Sequence, residues 1–311
     1  MPAYLITGGA GFIGSHLADA LVARGDRVRV LDDLSTGRAT NPPAAAELIL
    51  GDVADPAATR AAMAGMDGVF HLAAIASVAR AAEDWLGTNR ANLVGTITVL
   101  DAARATRTPV VYASSAAVYG DCPMQPITEA APMRPRSAYG ADKLACELHA
   151  AVAAGVFAVP TLGLRFFNVF GPRQDPASPY SGVISIFAGL LAQGRPVTLF
   201  GDGGQTRDFI AVSDVVAALL TAMARLADRF GLTAPVFNVC TGQATSIRAL
   251  AAMMGQLCGV TAPPLEGRAR DGDIGHSVGD PTASRAALGL APPRPLAEGL
   301  AEVLAWLAEP A

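Results

Sequence analysis

An α/β fold, built on a doubly wound parallel sheet with a second, smaller α/β unit, is predicted by three features of the sequence. Short apolar runs alternate with stretches of helical periodicity from Tyr4 to Phe166, which implies parallel strands joined by right-handed crossovers. A glycine-rich turn separates the first run from the first periodic stretch. Beyond Arg165 the alternation gives way to irregular, Gly- and Pro-punctuated segments, where the smaller unit begins. A chain of 311 residues is long enough to bury a large core in such an arrangement.

The first element is Tyr4-Leu5-Ile6-Thr7-Gly8-Gly9-Ala10-Gly11-Phe12-Ile13-Gly14, read as a buried strand, a glycine turn and the first turn of a helix. Gly8, Gly11 and Gly14 let main chain approach a pyrophosphate where side chains would block it. The helix N-terminus then faces the phosphates with unpaired N–H groups and a partial positive charge. Ile13, Leu17, Ala20, Leu21 and Arg24 keep helical spacing up to Gly25, read as the residue that ends the helix. The next strand, Val28 to Leu31, delivers Asp32 eighteen residues after Gly14, where an acidic side chain takes the adenosine ribose hydroxyls. Together these features make a Rossmann dinucleotide cradle; a glycine turn in a nucleotide-free α/β protein would have no need of the distal Asp.

The loop after Asp32 contains Arg38, which is suited to a 2′-phosphate, but the adjacent carboxylates of Asp32 and Asp33 would repel one, so NAD is expected over NADP. Leu48-Ile49-Leu50-Gly51-Asp52-Val53 ends a third strand in a carboxylate placed for the adenine amino group, or for a turn, before a helix that begins at Asp55-Pro56. Gly68 to Ala74 is the fourth strand, and its small residues leave room for a ribose. His71 within it is read as structural. Asn92 to Arg104 forms an amphipathic helix with Leu93, Thr96, Val99, Leu100 and Ala103 on one face, and Pro109 to Ser115 an apolar strand that brings Ser115 to the carboxyl edge of the sheet. Ligands of such sheets bind at that edge.

A helix expected over Ala138 to Ala154, closed by Gly155, carries Tyr139 and Lys143 four residues apart on one face. An ammonium beside a phenol stabilises the phenolate. Such a pair alone is common on helix surfaces. Following a dinucleotide cradle and the strand-end hydroxyl of Ser115, it points to acid–base chemistry on a hydroxyl or carbonyl carbon.

Composition narrows the class. Hydrophobic residues are 51% and charged residues 16%, and the net charge of −4 gives no basic field for nucleic acid or an anionic membrane. No apolar run approaches the roughly eighteen residues of a membrane span, and no signal-peptide pattern precedes the first strand. Cys122, Cys146, Cys240 and Cys258, like His16, His71, His149 and His276, lack metal or redox spacing, so a cytoplasmic protein with reduced thiols and no protein-bound metal is expected.

With these segments in view, the sequence resembles the extended short-chain dehydrogenase/reductase family, and within it the NAD-dependent nucleotide-sugar epimerases of the UDP-galactose (UDP-glucose) 4-epimerase type. The carriers are Thr7 to Gly14, Gly51-Asp52-Val53, His71-Leu72-Ala73-Ala74, Asn92 with Gly95-Thr96, Ser114 to Gly120, Tyr139-Gly140-Ala141-Asp142-Lys143 and Arg165 to Pro172. The resemblance implies that Ser115, Tyr139 and Lys143 are catalytic. It implies an NAD site made of Gly8, Gly11, Phe12, Ile13, Gly14, Asp32, Asp52, Val53, Leu72, Ala73, Ala74, Asn92, Tyr139 and Lys143. It further implies that Asn168, Arg207, Arg270 and Asp273 bind the UDP part of a UDP-sugar, Arg207 and Arg270 being suited to the diphosphate oxygens and Asp273 to ribose hydroxyls.

The expected reaction is interconversion of UDP-glucose and UDP-galactose, or their N-acetyl forms, through a 4-keto sugar. The alternatives are a 4,6-dehydratase or decarboxylase of the same family, or a non-catalytic dinucleotide-binding protein. Related dehydratases place Asp-Glu or Glu just after the strand-end hydroxyl, where this chain has Ala116 and Ala117. The expected division is 1–167 for the cofactor domain, rejoined by about 209–239, and 168–208 with 240–311 for the nucleotide-sugar domain. Val197 to Phe200 and Thr206 to Ile210 are expected to pair as a hairpin, Ser213-Asp214 to cap a helix running to Met223, and 235–239 to rejoin the first sheet. A homodimer is expected through the alanine-rich helices at Asn92 to Arg104 and Ala141 to Ala154.

Overall fold

The computed structural model describes residues 1–176, 182–227, 234–260, 263–269 and 274–308. Its first half alternates as the apolar runs require. β1 (Ala3–Thr7), α1 (Phe12–Ala23), β2 (Arg27–Asp32), β3 (Glu47–Leu50), α2 (Pro56–Met63) and β4 (Gly68–His71) come first. α3 (Val78–Glu83), α4 (Trp85–Asn89), α5 (Gly95–Ala103), β5 (Val110–Ser115), α6 (Ala138–Phe157) and β6 (Thr161–Phe166) follow. β1, β2, β3, β4, β5 and β6 are joined by a late strand, Val236–Val239, in one seven-stranded sheet. Every pairing in it is parallel.

The chain starts in the middle of that sheet, adds β2 and β3 on one side of β1, then returns to add β4 on the other. The reversal between β1 and β4 leaves a crevice at their carboxyl ends, the place where doubly wound sheets bind ligands. Apolar side chains cover both faces. Leu17, Leu21, Phe70 and Leu164 belong to one buried cluster, and Leu5, Val69, Val110 and Tyr112 to the other. Burial on two faces is why these strands read as continuous apolar runs.

The second half is built from shorter pieces: β7 (Asn168–Phe170), α7 (Val183–Leu191), β8 (Thr198–Phe200), β9 (Thr206–Arg207), β10 (Phe209–Ala211) and α8 (Val212–Ala227). After the late strand, β11 (Val236–Val239), come β12 (Thr245–Ser246), α9 (Ile247–Cys258), β13 (Leu265–Gly267), β14 (His276–Ser277), α10 (Thr282–Leu288) and α11 (Leu296–Ala308). Phe170, Ile184, Phe187, Phe209, Leu250 and Leu300 centre a separate apolar cluster among them. Among the described residues no helix is long and apolar enough to cross a membrane.

Four local expectations need correction. The hairpin does not form: β8 pairs with β13, β9 with β12 and β14, and β10 with β7. Asp208 explains the break. Fully buried between β9 and β10, its carboxylate accepts from Thr241 N and Oγ1, Gly242 N and Gly279 N, which draws distant segments onto this stretch in place of β8. The helix of Tyr139 runs past Gly155 to Phe157 and ends at Ala158, which takes the left-handed conformation (φ 55°) two residues before Pro160 stops any continuation. α8 begins at Val212, so Ser213-Asp214 lies inside it, and Asp214 Oδ2 accepts from Arg294 N at 3.0 Å. The helix expected from Asn92 opens with a π-helical turn, Arg90–Val94, before regular α5.

Candidate active site

The carboxyl ends of the parallel strands open into a cleft of about 920 Å³. Gly8, Gly11, Phe12, Ile13 and Gly14 form its floor where β1 turns into α1. Gly8 is needed for two reasons. Its φ of +71° lies in the left-handed region, and a Cβ there would come within 2.6 Å of the Ala73 amide nitrogen, across the switch point. A Cβ on Gly14 would collide with the Gly8 carbonyl oxygen. No side chain caps α1 at Gly11, so its first N–H groups face the cleft for an anionic ligand.

Asp32 ends β2 and is buried. It accepts from Ala10 N at 2.9 Å through Oδ2 and from Leu34 N at 2.9 Å through Oδ1. Burial pushes its carboxyl above the ordinary carboxylate range, against the pull of the Leu34 and Ala10 amides. An ionised carboxylate has about four acceptor positions, so two remain for ribose hydroxyls. Asp52 and Val53 line the same end of the cleft; Asp52 accepts from Ala54 N at 2.7 Å and pairs with Arg90. A glycine floor, an uncapped helix N-terminus and a strand-end carboxylate together fit a dinucleotide such as NAD.

The far wall carries the three residues expected to be catalytic. Tyr139 and Lys143 sit in the first turns of α6, which Ser137 caps by accepting from Gly140 N at 3.1 Å. Lys143 Nζ donates to the Ala113 carbonyl at 2.8 Å and lies 5.9 Å from the centroid of the Tyr139 ring. Ser115 ends β5 and accepts from Ala117 N at 3.1 Å. That bond uses a lone pair and leaves the Ser115 O–H to donate into the cleft. A phenol, an ammonium and a hydroxyl thus converge beside the dinucleotide floor. His71 is excluded from the chemistry: it is locked between Thr7 Oγ1 (2.7 Å) and Thr96 Oγ1 (2.9 Å), and burial, with Lys143 adding to it, pushes its imidazole down to about 3.

The remaining expected residues divide. Leu72, Ala73, Ala74 and Asn168 line the cleft. Asn92 does not; buried behind the wall, it accepts from Ile75 N at 2.8 Å and donates to Ile75 O at 3.2 Å, which shapes the loop after β4. Arg207 lies outside the cleft lining, on β9, two residues before Phe209, which is in register with Asn168. Arg270 and Asp273 fall outside the described residues. Among the lining side chains that were not anticipated are Arg80, Arg173 and Trp306. Arg173 follows directly on Gly171-Pro172, has φ +67°, pairs with Asp19 at 2.7 Å and reaches the Asn41 carbonyl at 3.4 Å. Its place at the end of a recognisable motif was a usable signal. Trp306, in the last helix, carried none.

The model of the NAD dependent epimerase/dehydratase family matches residues 4–240, which span the cradle, Ser115, Tyr139 and Lys143. The chain belongs to that family. Among curated members it is 38% identical over 308 residues to a UDP-glucose 4-epimerase of Mycolicibacterium smegmatis, covering 96% of each chain. Among solved structures of the family it is similar to UDP-glucose 4-epimerase from Thermotoga maritima with UDP-glucose, with a TM-score of 0.93, 32% identity and 98% of both chains covered. It is likewise similar to the Thermus thermophilus UDP-glucose 4-epimerase complex with NAD, with a TM-score of 0.89 and 35% identity, over 98% of this chain and 99% of that one.

Proposed function

We propose that this member of the family is an NAD-dependent UDP-hexose 4-epimerase acting on UDP-glucose and UDP-galactose, with the N-acetyl forms as further candidates. The observation that carries the reading is the convergence of Ser115, Tyr139 and Lys143 at the dinucleotide cleft, with Ala116 and Ala117 at the positions where a dehydratase needs proton-transfer groups. Methyl groups move no protons, so elimination of water has no acid or base there.

Bound NAD supplies reversible oxidation at C4 of the sugar, so that a ketone forms and is reduced again with no net change in oxidation state. Tyr139 takes the proton of the C4 hydroxyl and later returns it. Ser115 donates to the same sugar oxygen and fixes its distance from the phenol. Lys143 offers its positive charge to the negative charge that develops on the phenol oxygen as the proton moves, and holds its place through Ala113. Asp32 receives the adenosine ribose, and the uncapped start of α1 the pyrophosphate. For the ketone to present both faces, the sugar must be held loosely and the nucleotide tightly. Asn168, Arg207 and Arg270 are the anchors proposed for the diphosphate, and Asp273 for the ribose hydroxyls of the nucleotide.

The division of labour that fits this reading gives residues 1–167, with about 209–239, to the cofactor, and 168–208 with 240–311 to the nucleotide sugar. A homodimer in the cytoplasm completes the reading. Its support is an exposed apolar stripe on two neighbouring helical segments, Val94 and Ile97 on one and Leu148, Val152 and Val156 on the other. The test of function is a panel of UDP-sugars resolved by chromatography. The proposal expects each accepted sugar to yield its 4-epimer and free hexoses to be untouched; a wild-type protein that turns over none of the panel contradicts it.

A further inference from the structure

From Ser114, in the cleft lining, a buried polar network runs back into the fold, and none of the roles above uses it. Glu147 is one turn beyond Lys143 and two beyond Tyr139 on the same face of α6. Its side chain is only 6% exposed and that of Arg165 only 5%. Glu147 Oε1 accepts from the Ser114 hydroxyl at 2.5 Å and from Arg165 Nε at 2.8 Å, while Oε2 accepts from Arg165 Nη2 at 2.7 Å. Ser114 and Arg165 are register partners on β5 and β6. Arg165 then donates from Nη1 to the Tyr119 hydroxyl at 2.7 Å, and Tyr119 donates to Asn238 Oδ1 on β11 at 2.6 Å. One carboxylate therefore ties the helix of Tyr139 to two central strands, with a third reached through Arg165.

Stability does not account for this arrangement. The cost of taking two charges out of water roughly cancels their attraction, and apolar pairs of similar volume often serve as well or better. What a two-point Arg–carboxylate fork does supply is fixed geometry. Three consecutive residues of β5 use that geometry. Ala113 O holds Lys143, Ser114 Oγ holds Glu147, and Ser115 faces the reaction. Because successive strand side chains point to opposite faces, a fixed Ser114 also fixes the direction of Ser115.

We propose that Glu147 is a positioning residue: with Ser114 and Arg165 it sets the height and rotation of α6 against β5, and so the gap between Tyr139 and Ser115 that a sugar oxygen must bridge. This rests on the acid–base roles given above to Tyr139 and Ser115. Misplacement of reacting groups by an ångström can cost on the order of a hundredfold in rate.

The test compares Ser114→Ala, which deletes one tie and changes no charge, with a double variant, Glu147→Met and Arg165→Met, which makes the layer apolar. For each, kcat and KM for UDP-glucose, bound NAD, Tm and amide exchange along Tyr139 to Leu144 are measured. The proposal expects kcat to fall on the order of ten- to a hundredfold in both, with KM, NAD content and Tm near wild type and faster exchange confined to the start of α6. If the double variant does not fold, Ser114→Ala carries the comparison alone. Wild-type kcat and exchange in folded Ser114→Ala overturn the proposal, as does a kcat loss that merely follows a fall in Tm. A wild-type enzyme that reduces its NAD with UDP-glucose but makes a product other than the 4-epimer overturns the epimerase reading instead. Ser114→Ala is then judged on that reduction, which both chemistries share.

Discussion

Lys143 donates from Nζ to the carbonyl oxygen of Ala113 at 2.8 Å, which tethers the helix of Tyr139 to the strand that ends at Ser115. The bond occupies one of three ammonium donors and leaves two for other acceptors. Lys143→Met removes the cation and the tether together. Turnover should fall steeply, because the negative charge that develops on the Tyr139 oxygen loses its neighbouring cation and the helix its tether. Near-wild-type kcat in the folded variant, measured at matched NAD occupancy, would remove that role from Lys143.

Tyr139→Phe is the cleaner deletion, since the ring stays and only the hydroxyl goes. Loss of a positioned acid/base typically lowers rate roughly 10²- to 10⁴-fold, with fold and bound cofactor retained. Steady-state kinetics at matched NAD occupancy decide it, and near-wild-type turnover would end the mechanism.

Gly14→Ala probes the cradle. Its Cβ meets the Gly8 carbonyl, so the turn must open and the purified protein should carry little NAD. The wild-type protein, denatured and analysed for nucleotide, should release NAD in preference to NADP. Recovery of NADP would overturn the discrimination assigned to Asp32 and Asp33.

His71 gives a signed pH dependence. Its folded value of about 3 lies below the ordinary 6.5, because burial disfavours the imidazolium. Below 6.5 the unfolded chain takes up a proton that the folded chain refuses, so stability is lost progressively as pH falls from 6.5 toward 3. Urea unfolding at successive pH values should show a shallower acid loss in His71→Asn than in wild type.

The parts of the site that were legible in the sequence are those encoded by local spacing. Gly8, Gly11 and Gly14 with Asp32, and Tyr139 with Lys143, announce themselves because one turn and one helix face contain them. Ser115 could be placed because a single apolar strand ends there. The hairpin reading failed where strands are two or three residues long and the buried carboxylate of Asp208 selects their partners. The π-helical turn at Arg90–Val94 leaves the apolar pattern of the following helix almost unchanged. Ser114, Glu147 and Arg165 are spread over 52 residues and meet only in the fold; Trp306 reaches the cleft from the last helix. No window of sequence holds such pairs.

The dimer reading is tested at the apolar stripe. Leu148→Glu places a charge in the middle of it and should yield monomer by analytical ultracentrifugation, whereas an unchanged sedimentation coefficient would move the interface elsewhere.

The central claim is that one cleft oxidises and re-reduces the same carbon of a UDP-hexose. It is tested most directly with UDP-glucose deuterated at C4, the products being separated by chromatography and weighed by mass spectrometry. The expected product is UDP-galactose that still carries its deuterium at C4, in equilibrium with labelled UDP-glucose. A 4-keto-6-deoxy sugar or a pentose without any 4-epimer, or a 4-epimer whose label has been lost to solvent, would contradict it.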